Sequence, residues 1–220
     1  STVLAKYDYR GAGRVVGTTY LEPNIARTEF DTLTDNYSGY LDRFNRVMRS
    51  PWWTLAPSPD KKFYDVEISF DRNSNITWAE DNVHSGFDVK YTMDDLDRLI
   101  DAEEGTRSGS SITSRTRHQT WLQSGSSQLS HTGNWARSKL DIDGDDNWNE
   151  TDEYDDTRTH NKVNELTARD TDTNGTNNYT LSYDAAGNLT DDAESYEYEY
   201  DAFYRLRKVK NQSSTLLAEY

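Results

Sequence analysis

The sequence contains no cysteine, only four prolines and only two methionines among its 220 residues. Without cysteine, no disulfide can stabilise the fold, and disulfide content gives no indication of the redox compartment. No apolar run approaches the roughly 20 residues that a membrane-spanning helix needs, so we expect no membrane insertion. Noncovalent contacts alone must therefore hold this chain together.

Positive charge is also scarce, because 24 Lys and Arg residues stand against 39 Asp and Glu residues and leave a net charge of −15. A strongly acidic surface repels phosphate backbones and anionic lipids, so neither nucleic acid nor an anionic membrane is an expected partner. Only 33% of the residues are hydrophobic, yet the chain has 15 Tyr and 6 Trp. Amphipathic rings must therefore supply much of the buried area.

A seven-residue motif recurs along the chain: an aromatic residue, Asp, two spacers, Gly or a substitute, Arg or Asn, and an aliphatic residue. The clearest copies are Tyr183–Leu189 and Tyr200–Leu206. Weaker copies begin at Tyr9, Leu41, Phe70 and Met93. A motif that is repeated through a whole chain specifies architecture more often than a single active site.

Each copy of the motif predicts a β-hairpin, because Asp favours the first corner of a type I turn and Gly the fourth. We expect the residue before Asp to face the residue after Gly, which pairs Tyr183 with Asn188. In the second copy the same rule pairs Tyr200 with Arg205. Side chains alternate along a strand, so the final aliphatic residue should point to the other face. The residues expected to hold these turns and ladders are Tyr183, Asp184, Gly187, Asn188, Leu189, Tyr200, Asp201, Arg205 and Leu206.

The run Glu194–Tyr200 places Tyr at every second residue, with acidic residues or Ser between them. This period is typical of a half-buried strand and not of a helix. A lone hairpin is marginal in water, so hairpin repeats must pack on their neighbours to bury a core. We therefore predict an all-β fold in which successive antiparallel β-hairpins form one extended, spiralling sheet.

The motifs at Tyr183–Leu189 and Tyr200–Leu206 closely resemble the signature of the YD-repeat, or RHS-repeat, family. The segments Thr132–Trp135 and Arg158–Thr167 resemble the spacers between bacterial repeats. The resemblance implies a β-sheet that spirals into a hollow shell, as in bacterial RHS shells and in Tc-toxin-like and teneurin-like YD shells. The Asp-Pro-x-Gly-Leu run of self-cleaving shells is missing, so the resemblance implies neither self-cleavage nor toxicity.

The same resemblance implies an extracellular or cell-surface protein, of bacterial origin. The segment Ser1–Tyr7 resembles Ser214–Tyr220, so the chain ends at the phase of the repeat at which it starts. The expected partners are therefore neighbouring YD-repeat segments or copies of the chain itself, which would join through open strand edges. An arbitrary fragment whose ends happen to fall in register is an equal alternative.

We expect a single domain over 1–220, with hairpin repeats over 1–102, a Ser/Gly/Thr-rich loop region over 103–130, and a spacer with further hairpin repeats over 131–220. Its composition predicts a flexible loop at 103–116. The prolines between Ser50 and Pro59 predict another loop, because Pro cannot donate to the ladder of a central strand. Trp52 and Trp53 would then cap the core.

An acidic segment that begins at Asp141 is the candidate metal site. Oxygen-bearing side chains stand at its positions one, three, five, seven, nine and twelve, as in a calcium loop. However, Asp146 stands where such a loop has Gly, and Asp replaces the usual final Glu, so a solvated turn between strands is the competing interpretation. No other cofactor is expected. The candidate calcium ligands are Asp141, Asp143, Asp145, Asn147, Asn149 and Asp152.

Three classes of function remain. The first is a non-enzymatic structural protein: the wall segment of a shell, including the shell of a polymorphic toxin, or a subunit that joins head to tail into a fibre. The second is an adhesin or a module that binds glycans. The third is a polysaccharide-acting enzyme, which ranks last because the four His are far apart and no cleft with paired carboxylates can be recognised. The stacking surfaces of the second class would be Trp52, Trp53, Trp121 or Trp148.

Overall fold

The structure is a computed structural model that describes residues 3–11, 13–28, 40–55, 61–122 and 129–220. Within these ranges the chain forms 18 β-strands and no helix. Accordingly, the described residues include no helix that is long and apolar enough to cross a membrane. The prediction of an all-β fold is confirmed.

The strands form two antiparallel sheets, in which each strand pairs with the strands next to it in the sequence. The sheet of thirteen strands comprises β1 (Ala5–Arg10), β2 (Arg14–Tyr20), β3 (Ile25–Thr28), β4 (Arg49–Thr54), β5 (Lys61–Phe70), β6 (Ile76–Asp81), β7 (Asp88–Met93), β8 (Leu99–Ser108), β9 (Ser111–Leu122), β10 (Arg137–Asp141), β11 (Tyr154–His160), β12 (Leu166–Asp170) and β13 (Tyr179–Thr180). The sheet of five strands comprises β14 (Ser182–Tyr183), β15 (Leu189–Asp191), β16 (Tyr196–Tyr200), β17 (Leu206–Asn211) and β18 (Leu216–Glu219). The predicted succession of antiparallel hairpins is confirmed, although the described strands form two sheets and not one.

The contacts between residues divide the chain into two compact units. The first unit contains Ser1–Thr92 and Ala102–Arg117, and the second contains Met93–Asp101 and His118–Tyr220. The division falls within the strands β7, β8 and β9. The expectation of a single domain over 1–220 stays a prediction.

The interior of the first unit contains charged residues as well as a few apolar ones. Asp65 on β5 has no exposed surface. Its carboxylate accepts hydrogen bonds from Arg49 Nε and Nη2 at 2.8 and 2.6 Å, and from Lys62 Nζ at 2.6 Å. Burial alone would raise the pKa of Asp65, but the bonds from these two cations outweigh it and lower the pKa. The buried apolar residues in the described part of this unit are Val16, Leu41 and Pro51.

The predicted Pro-rich loop is wrong for its first half. The residues from Ser50 to Thr54 lie in β4, which pairs with β3 on one side and β5 on the other. Pro51 is tolerated there because the last pair between β3 and β4 joins Arg27 to Trp52. The neighbouring Pro51 therefore has no partner on β3. Residues 56–60 of the predicted loop lie outside the described residues.

The predicted flexible loop at 103–116 is also wrong, because β8 and β9 cover this segment and only two residues separate them. Gly105 is part of the reason. A Cβ atom on Gly105 would lie 2.7 Å from Ile112 Cγ2 and 2.8 Å from the carbonyl oxygen of Ser114. The small residue therefore permits close packing of the hairpin and does not indicate a loop.

The second unit contains similar buried ion pairs. Asp155 is 5% exposed and binds the guanidinium of Arg137 through both carboxylate oxygens. Asp156 is 2% exposed and accepts a bond from Arg158 Nε at 2.8 Å. Hydrogen-bonded charged groups therefore fill much of the interior of this unit as well, because a buried carboxylate is stable only when it is paired.

The five-stranded sheet contains the predicted tyrosine strand, which the structure places at β16. The rings of Tyr196 and Tyr198 lie 6.4 Å apart, and the Tyr198 hydroxyl donates to Asp192 Oδ2 at 3.0 Å. In the first hairpin of this sheet, the hydroxyl of Tyr183 donates to the carbonyl oxygen of Leu166 at 2.8 Å. The tyrosine hydroxyls therefore bind a turn within this sheet, at Asp192, and the strand β12 of the larger sheet, at Leu166.

Candidate functional site

The recurring motif folds into one type of turn, which the segment from Asp184 to Asn188 illustrates. The Asp184 amide donates to the Asn188 carbonyl oxygen at 3.0 Å, and the Gly187 amide donates to the Asp184 carbonyl oxygen at 3.1 Å. Asp184 Oδ1 accepts from the amides of Ala186 and Asn188, both at 2.9 Å. The carboxylate therefore satisfies backbone N–H groups that the tight turn would otherwise leave without an acceptor.

The other carboxylate oxygen binds the side chain four residues further along, which explains why the motif has Arg or Asn there. Asn188 Nδ2 donates to Asp184 Oδ2 at 2.9 Å. Arg205 Nε donates to Asp201 Oδ2 at 2.8 Å. These side-chain bonds lower the pKa of both aspartates. The same bond joins Asp42 to Arg46, Asp71 to Asn75 and Asp94 to Arg98.

The third residue after the aspartate has a left-handed backbone, with φ of 84° at Gly187 and 62° at Tyr204. This conformation explains an error in the predicted register. Tyr183 pairs with Leu189 and not with Asn188, and Tyr200 likewise pairs one residue later than predicted, with Leu206. A left-handed residue after a type I turn adds a β-bulge, which places the aliphatic residue opposite the tyrosine.

Three further turns have the same hydrogen-bond pattern without an aspartate, and they begin at Ser130, Asn161 and Asn211. The first two overlap the segments that resemble spacers. In the turn from Ser130 to Asn134, the Ser130 hydroxyl oxygen accepts from the Asn134 amide at 2.8 Å. In the turn from Asn161 to Glu165, Asn161 Oδ1 accepts from the Glu165 amide at 3.0 Å. The signal in the sequence was a residue that tolerates a left-handed backbone at the fourth position, Gly133 or Asn164.

Neighbouring turns are joined by the same side chains that close them. In the second unit, Arg98 donates from Nη1 to the Ser130 carbonyl oxygen at 2.5 Å and from Nη2 to the Leu129 carbonyl oxygen at 3.1 Å. Asn134 Nδ2 donates in turn to Asn164 Oδ1 at 2.5 Å. Within this unit, consecutive hairpins are therefore linked along their turns as well as along their strands.

The acidic segment forms the loop between β10 and β11. One carboxylate oxygen from each of Asp141, Asp143 and Asp145 lies within 4.8 Å of the others. Asp141 has no exposed surface, and its oxygens accept from the amides of Asp143 at 3.1 Å and Asp146 at 2.8 Å. The carboxylate that is most buried in this loop is therefore already engaged by the backbone.

Among the other candidate calcium ligands, Asp152 does not join this group. Asn147 donates from Nδ2 to the carboxylate of Glu150 at 2.7 Å. Asn149 and Asp152 are both exposed. Three carboxylates are fewer than the six to eight oxygen ligands that calcium takes, so calcium binding at this loop stays a prediction.

A second loop with similar chemistry joins β12 to β13. Asp170 is 4% exposed, and its Oδ2 accepts from the Gly175 amide at 2.8 Å. Asp172 Oδ1 accepts from the Asn174 amide at 3.3 Å. Oxygen side chains at positions one, three and five with Gly at position six were the missed signal.

The candidate stacking tryptophans have neighbours over their rings. Trp52 is parallel to Tyr20 with ring centres 6.3 Å apart, and Arg27 Cζ lies 5.9 Å from the Trp52 ring centre. Lys62 Nζ lies 4.9 Å from the ring centre of Trp53. Trp148 has Lys139 Nζ at 4.7 Å and the ring of His118 at 5.1 Å, and Trp121 lines a shallow cavity of about 260 Å³.

A cavity of about 400 Å³ opens in the second unit between the turns that begin at Ser130 and Asn161. Arg158 and His160, near the end of β11, line it together with Lys162 from the second turn. Burial and the nearby Arg158 guanidinium lower the pKa of His160. The neutral polar lining includes Ser130, Thr132, Asn134 and Asn164.

No family model and no curated protein matches this chain. Similar solved structures include a Tc holotoxin pore of Photorhabdus luminescens with a mutation in TccC3, which is 15% identical over 97% of this chain and 11% of that chain, with a TM-score of 0.49. The crystal structures of TcdB2-TccC3-TEV and TcdB2-TccC3 are each 13% identical over 97% of this chain and 17% of theirs, with TM-scores of 0.21 and 0.19. The chain spans between about a tenth and a sixth of the length of these solved chains.

Proposed function

We propose that the protein is a non-enzymatic structural scaffold, extracellular or at a bacterial cell surface. Its hairpins would form part of the wall of a larger YD-repeat assembly. The repeated turn carries this proposal: the same bonds recur at Asp42, Asp94 and Asp184, in the first unit, the second unit and the five-stranded sheet. A chain that uses its charged side chains to repeat one turn is built for regular architecture.

Exposed apolar side chains, several of them in the turns, support the same proposal. Many large apolar side chains stay exposed, including Phe44 at 65% and Phe203 at 77%. Each described unit buries only a few apolar residues. Apolar surface that is left exposed in this way favours contact with a further protein segment. Neighbouring YD-repeat segments, or further copies of this chain, are the proposed partners.

Replacing Gly187 tests whether the repeated turn is the main determinant of the architecture. Its φ of 84° disfavours any residue with a β-branched side chain, so Gly187→Val should lower the free energy of unfolding by about 1–2 kcal/mol. Gly187→Asn is the matched control, because Asn164 adopts the same conformation in another turn. Urea unfolding followed by tyrosine fluorescence measures both, and equal stability of the Val variant and the parent would contradict the proposal.

Electron microscopy of the purified chain tests the assembly itself. Filaments would support head-to-tail joining of copies, and curved sheets or closed shells would support a wall segment. Discrete monomers at every concentration would contradict self-assembly and would leave other YD-repeat segments as the partner to test by mixing. Sedimentation velocity over the same concentration range provides an independent measure of association.

We propose glycan binding as the second candidate function, because an open cleft of about 510 Å³ lies beside Trp52 and the exposed rings of Phe63 and Tyr64. Aromatic rings with an apolar face and polar neighbours suit the stacking of sugars. Titration with a glycan panel should quench tryptophan fluorescence in the parent and less in Trp52→Phe. Trp148→Phe is the control for loss of one indole, and a parent that responds to no glycan would exclude this function for the panel tested.

A further inference from the structure

The cavity between the turns that begin at Ser130 and Asn161 has a charge opposite to that of the protein as a whole. The chain carries a net charge of −15, yet the charged or titratable residues in the described lining are Arg158, His160 and Lys162, without any carboxylate. The positive charge of this cavity is therefore a local feature, which the average composition of the chain does not predict.

The guanidinium in this cavity is fixed in place and keeps free donors. Arg158 Nε donates to Asp156 Oδ2 at 2.8 Å, and the Trp135 ring centre lies 3.6 Å from Arg158 Cζ. These two contacts use one face and one edge of the guanidinium. The described residues provide no acceptor for its terminal nitrogens, Nη1 and Nη2, whose paired geometry matches the two oxygens of an oxyanion.

The other two basic groups are also available. Lys162 is exposed and makes no hydrogen bond or ion pair with the residues that the structure describes. His160 is half-buried, and its ring nitrogens likewise have no acceptor or donor in the described ranges. Two further donors therefore stand beside the Arg158 guanidinium on the wall of the same cavity.

The neutral part of the lining suits hydroxyl groups. The Ser130 and Thr132 hydroxyls lie 3.0 Å apart, and Asn134 Nδ2 lies 3.3 Å from Thr132 Oγ1. Hydroxyl and amide groups can each exchange these weak mutual bonds for bonds to a ligand. The volume of about 400 Å³ falls within the range of small-molecule sites.

We propose that this cavity binds a small, hydroxyl-bearing molecule that carries an oxyanion, held by Arg158 and Lys162, while its hydroxyls contact Ser130, Thr132 and Asn134. A carboxylate, a sulfate ester or a phosphate ester supplies the same chemistry, so acidic sugars are the class of ligand that fits best. This inference goes beyond the scaffold function and does not depend on it, because a wall segment needs no small ligand.

The test follows the His160 ring signals by NMR during titration with D-glucuronate, D-glucose 6-sulfate and D-glucose 6-phosphate, with D-glucose as the neutral probe. Saturable shifts of His160 with at least one anionic sugar, and none with D-glucose, are the expected result. The anionic sugar with the highest affinity identifies the oxyanion. Because the protein's net charge repels anions, a saturable response requires a local site.

Lys162→Gln should weaken the best anionic ligand about tenfold, because it removes one charged hydrogen bond of roughly 1.4 kcal/mol. Lys6→Gln is the matched control, since Lys6 is an exposed lysine in the first unit and the change in net charge is the same. Lys162 is exposed, so its replacement should leave folding intact. No saturable shift of His160 with any anionic sugar, or equal weakening by both substitutions, would overturn the proposal.

Discussion

The sheet of thirteen strands and the sheet of five use different means to reach the same architecture. The larger sheet buries aspartates against cations, and Asp65 and Asp155 are 0% and 5% exposed. In the smaller sheet, no strand residue is buried. Its strands depend on turn carboxylates such as Asp184 and Asp201 and on the hydroxyl of Tyr198, which binds Asp192.

Acidic residues have two different structural roles in this chain. In the larger sheet a buried strand carboxylate such as Asp65 stabilises the interior by pairing, and its loss leaves cations without a partner, whereas Asp94 closes a turn there. In the smaller sheet a carboxylate stabilises a local turn, and water can replace it in part because the site is exposed. The same residue type should therefore have very different effects on stability in the two sheets.

The largest effect is expected for Asp65→Ala in the thirteen-stranded sheet. Removing one partner of a buried ion pair costs about 3–5 kcal/mol, and we expect about 3 because Arg49 and Lys62 can reach water. Chemical unfolding measures the loss. Glu67→Ala on the same strand is the matched control, because Glu67 is only half-buried and accepts no hydrogen bond within the described residues. Equal losses in the two variants would remove the distinction between the sheets.

A smaller effect is expected for Asp201→Ala in the five-stranded sheet. The alanine variant loses the acceptor for the amides of Phe203 and Arg205, so the melting temperature should fall by a few degrees, less than for Asp65→Ala. Asp201→Asn should restore most of the loss, because Asn161 supports the same turn elsewhere. Melting curves from circular dichroism measure both, and an Asn variant as unstable as the Ala variant would show that charge matters more than the backbone bonds.

The smallest effect on stability is expected when acid protonates the aspartate of a single turn. Hydrogen bonds from Arg98 lower the pKa of Asp94 from its ordinary 3.8 to about 2. Because the folded-state pKa is the lower one, the contribution of Asp94 is complete above pH 3.8 and is lost as the pH falls through about 2. Asp94→Asn should therefore reduce the acid dependence of unfolding in this interval. Unchanged acid dependence in this variant would contradict the assignment.

Most of the architecture could be predicted from the sequence, because the turn and the strand period are local properties. The tyrosines that alternate up to Tyr200 predicted β16, and the Asp-to-Gly spacing predicted the hairpin at Asp184. The register was one residue wrong because the left-handed residue at Gly187 adds a bulge, which depends on backbone conformation and not on residue spacing.

The strands at 103–116 and at Pro51 could not be predicted from residue type alone. β8 and β9 lack an apolar alternation because both of their faces are polar or partly exposed. Whether a Gly or a Pro fits a strand depends on its neighbours: Ile112 lies close to Gly105, and the β3 pairing stops before Pro51. The polar cavity at Arg158 was missed for a similar reason, since a hairpin pairing brings its residues together.

The order of the strands in each sheet is the order of the strands in the chain. A strand that has just left the ribosome therefore finds its partner in the strand made immediately before it. Among the strands that the structure describes, none has to wait for one further along the chain, so the loop-closure entropy is small at most steps. The protein can form during its own synthesis, one hairpin after another, beginning at its N-terminal end.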